Sequence, residues 1–259
     1  MPPSLRSVTI LDRALSPFEA DLLVSVAIDG DTDGIDIRGR LLGPTCPYAT
    51  TVEVDYALRP LLQPVEGSDL VRRVIIPEPS FWDPVSPFLY RGHVEVWQHG
   101  RLIERVVVRH GLRSVRIGAE GVHFNGKHLM LRTVDRLEVL ESHLPNLRRE
   151  GINSLILSPS QHALLPALDR LGFIALVRVN AETDWPALTA APSLLGWLLR
   201  PGQEEVLAQL GESSRRRHCV GWESAGSPVP AGVDFVVGEG PGGPPRLGRG
   251  DERELGRIL

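Results

Sequence analysis

Chemistry in this chain has to come from a small set of residues. No Gly-x-Ser-x-Gly, His-Glu-x-x-His, phosphate-binding P-loop or Gly-x-Gly-x-x-Gly following a strand occurs, which removes the common nucleophile, metalloprotease and nucleotide signatures. The stretch GEGPGG at 238–243 is glycine-rich, but the prolines after it stop a helix from starting, so it lacks the helix N-terminus that would cradle phosphate. Cys46 and Cys219 are far apart and outside any Cys/His cluster, so neither a metal site nor a disulfide framework is expected. Of the eight histidines, His93, His99 and His110 flank strand-like runs and read as surface residues, and the run at 215–218 reads as a solvated helix end. Carboxylates remain. A general acid and base would have to come from such residues as Asp135, Glu138, Glu204 and Glu239, of which Glu239 follows a strand-like segment. Glu204 and its neighbour Glu205 fall in the first turn of a predicted helix, a position that also suits the helix dipole. Trp185, Trp197 and Trp222 offer aromatic faces, although a tryptophan on a buried strand is more often core.

The elements that position these residues divide the chain in two. Between residues 7 and 117, apolar residues alternate with polar ones in short runs: Leu22, Val24, Val26 and Ile28 face one way, and Leu23, Ser25 and Ala27 the other. Clusters of Gly, Pro and Asp at 29–34 and 43–47 punctuate them, the pattern of an antiparallel sandwich. Residues 92–108 read as a hairpin turning at Gln98-His99-Gly100-Arg101. In FWDPVSPFLY (81–90) the prolines are barred from a central strand, and the aromatics are placed to plug the sandwich edge. After Gly121 the rhythm changes to strand, helix, strand. Strands are predicted at 129–134, 152–158, 173–179, 193–199, 218–222 and 233–238, with helices at 138–150, 162–172 and 203–216 and a short one at 251–259. Such alternation implies parallel βα units.

With 259 residues the chain has room for two ordinary domains, placed at 1–119 and 120–259. Its 42% hydrophobic and 23% charged residues are those of a globular protein, and a net charge of -4 leaves no basic footprint for nucleic acid. No membrane-length apolar run and no signal-peptide pattern are visible, so a cytoplasmic setting is expected.

The order of motifs across 81–138 resembles the junction of family-2 glycoside hydrolases, the β-galactosidase, β-glucuronidase and β-mannosidase group. Trp82, Pro84, Pro87, Phe88, Leu89 and Tyr90 fill the places of that family's Trp-x-Pro-x-x-Pro-Tyr-Leu-Tyr segment. HGLRSV (110–115), with Gly111 and Arg113, resembles its Phe-Gly-x-Arg strand, and FNGKHLMLR (124–132), with Asn125 and Gly126, its Asn-Gly-Lys hairpin. LRREGINSLIL (147–157) and ALDRLGFIALV (167–177) resemble the lead-ins to its second and third barrel strands. The resemblance implies a multidomain β plus α/β fold: an immunoglobulin-like antiparallel β-sandwich followed by a reduced TIM-type (β/α) barrel. A full (β/α)8 barrel takes about 250 residues, and about 140 follow the sandwich, enough for about six strands. Such a barrel is closed in an unusual way, completed by a partner over its open edge, or a fragment.

The resemblance also says where the chemistry belongs. Retaining glycosidases set two carboxyl groups roughly 5–5.5 Å apart, one acid/base and one nucleophile. The family's acid/base glutamate ends its fourth strand; here the matching run is APSLLGWLLRPG (191–202), with Gly202 in the glutamate's place and Pro201 in that of the preceding asparagine. In RTVDRLE (132–138) Arg132, Val134, Arg136 and Glu138 match the first-strand motif, while Thr133, Asp135 and Leu137 replace its glycine, asparagine and histidine. On the second strand Ser158 matches, but Ile156 and Pro159 replace the sugar-facing arginine and histidine. The nucleophile belongs to a seventh strand, and Glu239 aligns instead with a sixth-strand asparagine. The expectation is a non-catalytic relative serving as scaffold, interaction module or weak carbohydrate binder, with Arg132, Asp135, Trp197 and Trp222 as the sugar-contacting candidates. No cofactor and no metal are called for; carbohydrate, a second copy or a protein partner are the expected contacts. The competing expectation is an active β-glycosidase using Glu239, Glu204, Asp135 or Glu138.

Overall fold

The computed structural model describes residues 3–61, 70–118, 121–135, 139–180, 183, 188–209, 218–224, 228–238, 246–248 and 253–255. They form two compact units. The first holds the described residues up to Phe81 together with Phe88–Leu112, and the second holds Trp82–Pro87 together with those from Arg113 onward.

The first unit is an immunoglobulin-like sandwich. Its strands are β1 (Ser4–Leu15), β2 (Glu19–Asp29), β3 (Ile35–Thr45), β4 (Val54–Ala57), β5 (Arg59–Pro60), β6 (Val71–Pro77), β7 (Leu89–Gln98) and β8 (Arg101–His110). They pair antiparallel in two sheets, β1-β2-β6-β5 and β4-β3-β7-β8. The period-two alternation sets the faces: Leu22, Val24 and Val26 are buried against Ile37, Leu41, Val74, Ile76, Val94 and Val96. The hairpin β7–β8 turns at the place predicted from the sequence, with positive φ at Gly100 and also at His99. Tyr90 fills the core edge-on to Tyr56, and its hydroxyl accepts a hydrogen bond from Ser80 N–H at 2.9 Å.

On the outer face of β7 the Glu95 carboxylate is buried. Trp97 Nε1–H donates to its Oε2 and Arg105 Nε–H to its Oε1, each at 2.8 Å. The Trp97 bond first, and Arg105 with it, hold the carboxyl below its ordinary value of 4.5, against the opposing effect of burial. A depressed folded-state pKa contributes stability that is complete above the unfolded value and is lost as pH falls through the folded one. Stability of the first unit should therefore drop below pH 4.5. The Glu95→Gln protein should show a flatter decline over that acid range in urea midpoints taken at stepped pH. An unchanged slope would refute this.

The second unit begins with β9 (Val115–Gly118), β10 (Gly121–Phe124) and β11 (Lys127–Leu129), then β12 (Thr133–Asp135), β13 (Ser154–Leu157), β14 (Ile174–Arg178), β15 (Leu194–Leu199), β16 (Cys219–Ser224), β17 (Phe235–Gly238), β18 (Arg246–Gly248) and β19 (Arg253–Leu255). Strands β12 to β17 lie side by side in chain order, all parallel, and β18 returns antiparallel beside β17. This is a six-strand parallel half-barrel. Helices α1 (Leu144–Arg149), α2 (Leu165–Leu171) and α3 (Glu204–Gln209) bury Leu144, Leu147, Leu165, Leu168, Val206 and Leu207 against one face of the sheet, built from Leu155, Leu157, Ala175, Val177, Trp197, Leu199, Val220 and Trp222. The other face carries Ile156, Leu176, Leu198 and Phe235, all buried. It is packed so closely that a Cβ on Gly221 would stand 2.4 Å from the Phe235 ring, and one on Gly196 2.4 Å from Cys219 Sγ.

Several expected elements are redrawn. The strand predicted at 129–134 is two pieces, β11 and β12, separated at residues 130–132. The helix expected at 138–150 starts later, as a 3-10 turn at Glu141–His143 running into α1, with Pro145 in its first turn. That at 162–172 begins early as a 3-10 turn, where Ser158 N–H donates to Gln161 Oε1, and ends at Gly172 in the left-handed conformation. The tail expected to be helical forms β19, antiparallel to β9; residues 256–259 lie outside the described residues. Of the aromatics expected to plug the sandwich edge, Phe81 and Tyr90 join that core, whereas Trp82 is buried in the second unit.

Candidate functional site

Side chains two residues apart share a face of a strand, so the buried inner face of the parallel sheet leads upward to a last layer at the strand C-termini. That end is where barrel enzymes place their chemistry. In this chain the layer is charged. Asp135 closes β12, Arg178 closes β14, Glu223 is next to last in β16, and Arg200 follows β15. Arg178 lies between the two carboxylates. Its Nη1–H donates to Asp135 Oδ1 at 2.8 Å and its Nη2–H to Asp135 Oδ2. Its Nε–H and Nη2–H both donate to Glu223 Oε1, at 2.9 and 2.6 Å. Arg200 Nε–H takes the remaining oxygen, Glu223 Oε2. All four carboxylate oxygens are thus engaged by guanidinium groups, the strong, geometrically matched form of ion pair. The Asp135 bonds, and then those of Glu223, raise the Arg178 pKa above its already high ordinary value, although burial works the other way.

The loop after β15 is tied down beside this layer. Arg200 N–H donates to Gln203 Oε1, and Gln203 Nε2–H to Val179 O, both at 2.9 Å. Gly202, in the place expected for an acid/base glutamate, has φ +87°. A glutamate there would be strained in its backbone, although an added Cβ would meet no atom within 4 Å.

The other sequence candidates are distributed as follows. Arg132 precedes β12, where its carbonyl accepts from Asn153 and Ser154 N–H at the N-terminal end of the sheet, away from the layer that holds Asp135. Glu204 sits exposed in the first turn of α3, and its Oε1 accepts a bond from Gly202 N–H at 3.3 Å. Trp197 and Trp222 are fully buried in the helix-facing core, and Trp197 packs against the His218 ring. Glu138, Glu239 and Trp185 lie outside the described residues. Arg178, Glu223 and Arg200 were missed by sequence reasoning. Their signal was a charged residue at or just past the end of an apolar run: FIALVR, LLGWLLR and CVGWE. Among the described residues no group of three metal-ligating side chains is present, and no helix is long and apolar enough to cross a membrane.

Among the described residues the chain is thus an antiparallel sandwich and a parallel half-barrel whose strand C-termini carry a charged layer. The family-2 likeness carried by the motifs holds: residues 20–113 match the sequence model of Glycosyl hydrolases family 2. No curated protein matches the sequence. Similar solved structures include a β-glycosidase from Bacteroides vulgatus (15% identity, TM-score 0.66, covering 93% of this chain and 36% of that one). A β-glucuronidase from Parabacteroides merdae aligns at 16% identity and TM-score 0.66, covering 91% and 35%. A glycosyl hydrolase family 2 member from Bacteroides cellulosilyticus aligns at 16% and 0.63, covering 89% and 38%. At these identities the likeness is one of fold. The chain spans a little over a third of each of these proteins.

Proposed function

We propose that this chain is a non-catalytic relative of family-2 glycoside hydrolases, using their frame as a scaffold or interaction module. The observation that carries this reading is Arg178. A retaining glycosidase needs one carboxyl group free to give a proton and a second free to attack. Here the two carboxylates found at the mouth among the described residues, Asp135 and Glu223, are bridged by one guanidinium, and every one of their oxygens is already accepting a hydrogen bond. Gly202 in the acid/base place supports the same reading, since it has no proton to donate. The test is hydrolysis of nitrophenyl β-glucuronide, β-galactoside, β-mannoside and β-glucoside by the purified chain, with release expected at the buffer rate for each. Turnover that is abolished by Glu223→Gln or Glu204→Gln would overturn the proposal.

A further inference from the structure

We propose that His123 and His128 form a two-imidazole site for a borderline divalent transition-metal ion, Zn2+ or Ni2+, on the hairpin β10–β11. The hairpin turns through Asn125 and Gly126, both with positive φ, which is the two-residue turn suited to the twist of its strands. Phe124 and Lys127 flank the turn, and His123 stands directly opposite His128. Antiparallel pairs alternate between hydrogen-bonded and non-hydrogen-bonded. The pair next to the flanking one is non-hydrogen-bonded, with Cα atoms about 4.5 Å apart and side chains at their closest. The two rings are in contact accordingly, with centroids 5.3 Å apart and planes at 68°. Val122 and Phe124 are buried, so the period of two sends His123 to the other face, and His128, its cross-strand partner, is exposed beside it.

One further observation points to a ligand. His123 Nδ1 is buried and has no hydrogen-bond partner among the described residues. A buried ring nitrogen without a partner is an unmet demand. An ion held between the rings would meet it, with water completing the coordination sphere. Imidazole nitrogen suits Zn2+ and Ni2+ and is a poor donor for hard ions such as Mg2+. The opposing feature is Arg116, which pairs with His123 from β9 and places an exposed cation in the same row. It lowers the affinity of the site without removing a ligand.

The test is calorimetric titration of the purified full chain with Zn2+ or Ni2+ alone. The parent protein should bind, and His128→Gln should weaken that binding by at least the roughly tenfold that even loss of an orienting partner costs a metal site. His128 is exposed, so this variant should keep the parent circular-dichroism spectrum. Arg116→Gln should tighten binding, an outcome that a purely structural pair of histidines does not produce. No binding by the parent, equal affinity in His128→Gln, or unchanged affinity in Arg116→Gln would each overturn the proposal.

Discussion

The Trp82→Ala protein is expected to lose about 4 kcal/mol of stability in its second unit, the scale of emptying a large aromatic site in a packed core. Trp82 is wholly buried. Its indole N–H donates to Asp169 O at 2.8 Å, its ring packs on Phe124, and its own carbonyl accepts from Asn125 Nδ2 at 3.0 Å. The loop it starts is fastened at both ends. Asp83 Oδ1 accepts from Val85 and Ser86 N–H, and Arg148 Nη1–H donates to Pro84 O and Leu171 O at 2.8 Å. The truncation therefore opens a cavity and also leaves a buried carbonyl short of a donor. Trp82→Phe keeps most of the volume and should lose only about 1–2 kcal/mol, for the missing N–H. Urea denaturation followed by far-UV circular dichroism separates the two. A loss below about 1 kcal/mol for the alanine variant would mean that the site collapses around the smaller side chain.

Arg178→Ala should be the second most damaging change, at about 2 kcal/mol, between the loss of about 3–5 kcal/mol typical of a buried ion pair and the loss of under about 1 kcal/mol typical of an exposed one. The intermediate figure applies because Arg178 is 15% exposed, Glu223 19% and Asp135 41%, so water screens part of the damage. Among the described residues, the alanine variant leaves Arg200 alone to offset Asp135 and Glu223. Arg178→Lys should recover part of the loss, since an ammonium group keeps the charge but not the fork that serves both carboxylates. Urea midpoints for the parent and both variants check the order. If lysine restores the parent midpoint in full, the geometry of the guanidinium contributes nothing beyond its charge.

Much of this fold was legible because it rests on local periodicity. Leu22, Val24 and Val26 announce a half-buried strand, and GINSLILS and GFIALVRV announce buried parallel ones, whatever surrounds them. The tail was not legible. RELGRIL has a composition that suits a helix, and β19 exists because β9 has a vacant edge to pair with, a tertiary fact that no propensity encodes. The site was half legible. Asp135 stood in a recognisable motif, but its partners Arg178 and Glu223 come from strands 43 and 88 residues further along the chain (178 − 135 and 223 − 135). Nothing local marks them as neighbours; only the parallel stacking of β12, β14 and β16 brings their C-terminal ends to one layer.

Strand β18 gives the half-barrel a direction of growth. It runs antiparallel along β17, with Val236, Val237 and Gly238 matched to Gly248, Leu247 and Arg246. The backbone groups that a seventh parallel strand would use are therefore already taken on that side. Any segment that extends the parallel sheet past β17 has to compete with β18 for the same ladder, so its arrival is a strand exchange and not a simple addition. At the opposite margin, β12 pairs only with β13 among the described strands. The two margins of the sheet thus differ in kind: one grows by displacement, the other by accretion.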